Sequence, residues 1–93
     1  MKVIVKEPGK PAEVKDIPNT LDALQKAVGG YIETVHIATN LVAIVDEEGK
    51  LKGKPSNVLG LVGTIVFAGI KKERFGDISD TAIELLEKLP IDH

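Results

Sequence analysis

GGYIETVHIATNLVAIVDEEGKLKGKPSN, residues 29 to 57, is the stretch on which the fold turns. Leu41 to Val45 is apolar at every position, and such an uninterrupted run predicts a strand covered on both faces and central in its sheet. Tyr31 to Ile37 is rich in β-branched and aromatic residues, which predicts a second strand, and Ala38-Thr39-Asn40 joins the two at hairpin length. Gly29 ends a preceding helix, because glycine most easily takes the left-handed conformation that follows a last turn. Downstream, Asp46-Glu47-Glu48-Gly49 predicts a solvated turn, and Gly53 to Asn57 is irregular by its glycine and proline content. Lys50, Lys52 and Lys54 alternate, so an extended chain would aim all three to one side.

Towards the N-terminus, Lys2, Ile4 and Lys6 alternate with Val3 and Val5, the period of a strand with one face inward. Glu7 to Pro11 holds the proline and glycine of a turn, and Ala12 to Ile17 is its short return strand. Asn19 is placed to cap a helix ending at Val28, with Leu21, Leu24, Ala27 and Val28 on one face and Asp22 one turn from Lys26.

Towards the C-terminus, Val58 to Gly63 is apolar but broken by glycine, compatible with a short helical turn or a buried loop. Thr64 to Ile70 predicts another buried strand, and Lys71 to Asp77 a charged connection. Ser79 caps a last helix, with Asp80 in its first turn and Ile78 stapled against Ile83. Ala82, Leu85, Leu86 and Leu89 form its apolar stripe, Glu84 pairs with Lys88, and Pro90 ends it. The sum is an α+β fold, an antiparallel or mixed sheet of four to six strands with two helices packed on it, in one domain over residues 1–93.

Composition narrows the function. The chain has no cysteine, which removes disulfides, thiolate metal sites and cysteine nucleophiles. Only Tyr31, Phe67 and Phe75 are aromatic, too few and too scattered for a base-stacking platform. A net charge of −2 gives no overall field drawing the chain to nucleic acid or anionic lipid. No run approaches the roughly 20 apolar residues that span a bilayer, and MKVIVKEPGKP has too short an apolar run for a signal peptide. The expectation is a soluble cytoplasmic protein, of a size for which a homo-oligomer would add stability.

Gly29-Gly30-Tyr31-Ile32-Glu33 after a helix, then Asp46-Glu47-Glu48-Gly49-Lys50-Leu51 after a strand, then Pro55 and Asn57, resemble the small proteins grouped as domain of unknown function 3846. The opening MKVIVKEPGK and Ile78-Ser79-Asp80 before the last helix extend the likeness over nearly the whole chain. The resemblance implies a bacteriophage, mobile-element or bacterial setting and implies no activity. Asp46 stands where such proteins often carry asparagine, and Val58 where a basic residue often follows the asparagine.

Among candidate sites, Asp46, Glu47 and Glu48 lack the alternate-position ligands of a calcium loop, and His36 has no neighbouring metal ligand while His93 is the final residue. His36, Ser56 and Asp77 make a triad only on paper, without a nucleophile-elbow sequence. Gly60-Leu61-Val62-Gly63 lacks the lysine and following helix of a phosphate loop. No metal, cofactor or catalytic residue is therefore expected, and the reading is a non-enzymatic binding or accessory protein touching a protein or small ligand. Its contact residues would be Tyr31, Asp46, Glu48, Lys50, Lys52 and Asn57. The alternative is a nucleotide- or nucleic-acid-binding protein using Lys50, Lys52, Lys54, Lys71, Lys72 and Arg74.

Overall fold

A computed structural model describes residues 1–91, so His93 lies outside the described residues. Its elements in chain order are β1 (Lys2–Lys6), β2 (Glu13–Asp16), α1 (Leu21–Val28), β3 (Ile32–Ala38), β4 (Leu41–Asp46), β5 (Ile65–Lys71), β6 (Arg74–Gly76) and α2 (Asp80–Leu86), with a 3₁₀ turn at Val58–Gly60 before β5. The fold is α+β: one six-stranded sheet, antiparallel at every pairing, in the order β2-β1-β5-β4-β3, with β6 also on β5. β1 borders β5 at Ile65 to Phe67 and β6 borders it at Gly69 to Lys71, so the two short strands share one side of the longer one.

The apolar run does form a strand, and all of β4 is buried. It lies beside the middle strand, β5, which is likewise buried from Ile65 to Ala68. Alternation sends successive side chains to opposite faces. Val42, Ile44, Val66 and Ala68 meet Val3 and the Leu24 and Val28 face of α1. Leu41, Ala43, Val45, Ile65 and Phe67 meet Ile4, Val58 and the Ile78, Ala82 and Leu86 side of α2. The domain thus has three layers, with one helix on each face of the sheet and two separate apolar clusters instead of one. Burying each of these larger side chains stabilises the fold by about 1.5–3 kcal/mol.

Several local expectations change. β1 is covered on both faces, since Val3, Ile4 and Lys6 are all buried. Its alternation therefore does not mark an exposed face. Thr20, not Asn19, caps α1: its hydroxyl accepts from the Ala23 amide at 3.2 Å, while the Asn19 amide group donates to the Phe75 carbonyl. Gly29 ends the helix with φ 83°, and the Asp22–Lys26 pair forms at 3.2 Å. Ser79 caps α2 as expected, but that helix stops at Leu86, short of Lys88 and Pro90, and leaves Leu85 outside the core. Lys71 to Asp77 is no simple connection. It folds back through Lys72 and Glu73, both at positive φ, into the β5–β6 hairpin. None of the described helices is long and apolar enough to cross a membrane.

Candidate functional site

The segment after β4 is wound rather than extended. Lys52 donates its amide to Glu48, Gly53 to Lys50 and Lys54 to Gly49, so the alternation of lysines does not produce one face. Lys52 and Lys54 instead fold inward. Their ammonium groups reach the same Asp46 oxygen, Oδ2, at 2.8 and 2.7 Å. They also cap the end of α1: Lys52 donates to the Gly29 carbonyl at 3.1 Å and Lys54 to the Val28 carbonyl at 2.6 Å. Those carbonyls are the unpaired, partially negative end of the helix, where cations are favoured.

Asp46 is therefore not part of a solvated turn. Its side chain is 1% exposed, and its other oxygen accepts from the Glu48 amide at 2.9 Å. The Lys52 hydrogen bond, then that of Lys54, holds the Asp46 carboxyl far below the ordinary carboxylate range, against the opposing effect of burial. The same bond to Asp46 raises Lys52 above the usual lysine value, with burial again opposing. Gly30 completes the arrangement by being small. A β-carbon there would stand 2.6 Å from Asp46 Oδ1 and 2.7 Å from Lys52 Nζ, so any side chain would push into the ion cluster. Glu47 and Glu48 stay exposed, and Glu47 donates its amide to the Tyr31 carbonyl at 2.8 Å.

Asn57 has a second internal role. Its side-chain amide donates to the carbonyls of Lys6 and Gly63, both at 2.8 Å. Its oxygen accepts from the Val58 amide at 2.8 Å, opening the 3₁₀ turn, and from the Lys6 ammonium at 3.1 Å. Lys6, 1% exposed, also donates to the carbonyls of Glu7 and Ile91, so β1, the turn before β5 and the end of the chain meet at one ammonium. A lysine in an alternating strand pattern gives no sequence signal of this. The available hint is an asparagine set directly before the apolar run Val58 to Gly63.

Of the expected contact residues, then, Asp46 and Asn57 are buried, Lys52 is 40% exposed with its ammonium turned onto Asp46, and Tyr31, Glu48 and Lys50 are exposed. The wider basic set is also divided. Leu41 lies opposite Gly69, so the Lys71 to Arg74 tip sits at the start of β4, whereas Lys50 follows its end. His36, Ser56 and Asp77 are equally separate in role: His36 sits on β3 opposite Val42, Ser56 bridges to Val62, and Asp77 accepts from the Lys2 amide at 2.7 Å.

What the arrangement does leave open is a groove of about 280 Å³ at the Asp46 end of the sheet, on the α2 side. Glu33 and Val35 of β3, Leu61 and Val62 form its walls, with Glu47 and Lys50 contributing opposite charges. Leu51 lines it and is 87% exposed, held out by the turn that the two inward lysines anchor. Sequence reading missed Leu51 because a single leucine between lysines carries no periodic signal.

No curated protein and no solved structure matches the chain. The family model described as domain of unknown function (DUF3846) matches residues 1–90, which include every element of the sheet, both helices and the Asp46 and Asn57 clusters, and the chain belongs to that family.

Proposed function

We propose that this protein acts by contact, as a non-enzymatic binding module in the cytoplasm of a bacterium or phage-infected cell, and that the groove beside β3 takes an apolar side chain of a protein partner. The observation that carries this reading is Leu51, 87% exposed on a turn whose neighbours are pinned to the helix end. A leucine held in water by a fixed turn gains nothing for the fold, and exposed apolar groups rimmed by charge are characteristic of protein contact sites. Glu47 and Lys50 on the rim offer both signs of charge, which favours a polypeptide over a simple anion or cation.

A photo-crosslinking residue in place of Leu51 tests this in cells. The expected result is one dominant adduct, absent when the same residue replaces Val14, which is also exposed and apolar but lies on β2 at the other side of the sheet. Adducts of equal yield and identity at both positions would contradict the groove as the contact site.

A further inference from the structure

The two edges of the sheet differ in a way that points to a second copy of this chain. β2 is short, and three of its four residues, Glu13, Lys15 and Asp16, are charged. That is how an edge strand resists pairing with other chains. β3 is the opposite case: seven residues, IETVHIA, with no lysine or proline and Glu33 as its one carboxylate. Among the described residues it pairs with β4 alone, and most of it is exposed.

The phase of its free hydrogen bonds follows from the structure. The Glu47 amide donates to the Tyr31 carbonyl, and Ile32 faces Asp46, Glu33 faces Val45 and Val35 faces Ala43. In an antiparallel pair the bonded positions alternate. Glu33 and Val35 therefore turn their backbone groups towards β4, while the amides and carbonyls of Ile32, Thr34 and His36 face outward. The bulge between His36 and Ala38 stops a regular ladder there and limits a new pairing to Ile32–His36.

We infer that two copies join through β3, antiparallel, about a two-fold axis at Thr34. This register uses every outward group before the bulge: Thr34 meets Thr34 of the second copy, and Ile32 meets His36, for about six backbone hydrogen bonds. The side-chain partners suit it. Threonine opposite threonine and isoleucine opposite histidine lie on the α1 face, and each Glu33 lies opposite a valine, so no carboxylate directly opposes another. The two sheets become one, and the grooves bordered by Glu33 and Val35 come to lie on the same face, on either side of the axis. The inference stands on the strand edge and does not need the groove to bind anything.

Light scattering after size exclusion, at high micromolar concentration, tests it on the full chain. Wild-type protein is expected at twice the chain mass. Thr34→Pro should halve that mass while keeping the far-ultraviolet circular dichroism, because the Thr34 amide faces outward and its loss does not touch β4. Thr34→Lys should do the same by setting two ammonium groups against each other, and it decides the matter if the proline variant fails to fold. A monomeric wild type, or a dimer that survives Thr34→Lys, overturns the inference. The Leu51 crosslink, repeated in Thr34→Lys, reports on the groove separately: loss of the dimer with retention of the adduct leaves the contact reading intact.

Discussion

At the scale of single residues, two of the polar groups that give this chain its family likeness, Asp46 and Asn57, are used inside the fold. Asn57 satisfies four partners, and one of them is the ammonium of Lys6, buried at the end of β1. Asn57→Ala removes all four bonds and leaves a buried charge with one acceptor fewer. It should destabilise the domain by about 2–3 kcal/mol, read from urea denaturation, because an unmet buried polar group costs more than a bond contributes. A loss within the range of ordinary surface substitutions, about 0.5 kcal/mol, would contradict the role assigned to it. Little of this was legible in the sequence. Lys6 fits an alternating strand perfectly well as an outward residue, and only the chain's return through Asn57 and Ile91 turns that position into an interior one.

At the scale of elements, the turn from Asp46 to Lys54 behaves as a clamp on the end of α1. Its energetics have a defined pH dependence. The Asp46 carboxyl is lowered in the folded state, so its contribution is complete above the unfolded carboxylate value of about 3.9 and is lost as pH falls from there towards the depressed folded value. Lys52 is raised, so its contribution holds below the ordinary lysine value and is lost as pH rises through the higher folded one. Asp46→Asn should therefore flatten the acid limb of stability against pH below about 4 relative to the parent, measured by chemical denaturation across that range. Limbs of identical slope would show that the pairing is not formed in solution.

Elements with strong local chemistry were readable from sequence: the buried run of β4, the glycine stop at Gly29, and the Ser79 cap. The β5–β6 hairpin was not, because its two turn residues are Lys72 and Glu73, which take positive φ without the glycine or asparagine that usually announces such a turn. The inward lysines were misread for a related reason. Alternation implies one face only if the chain is extended, and here hydrogen bonds from Lys52, Gly53 and Lys54 wind it.

At the scale of the whole molecule, a helix on each face of one antiparallel sheet covers the middle strands and leaves the edge strands β2 and β3 exposed. The α+β class, the helix count and the strand number range could be derived from periodicity together with the turn and cap residues. The two-sided packing could not. It depends on which strands lie between the helices, and the order β2-β1-β5-β4-β3 is fixed by contacts far apart in sequence. The division of the basic residues between opposite ends of β4 follows from that order too.

The central claim is that Lys52 and Lys54 hold the turn after β4 against Asp46 and the end of α1, while Lys50 in the same turn carries no part of the fold. Thermal unfolding of Lys52→Met against Lys50→Ala at neutral pH tests it most directly, since the two lysines are two residues apart in one turn. The account predicts that Lys52→Met melts several degrees below the parent while Lys50→Ala melts with it; equal melting temperatures for both variants would contradict it.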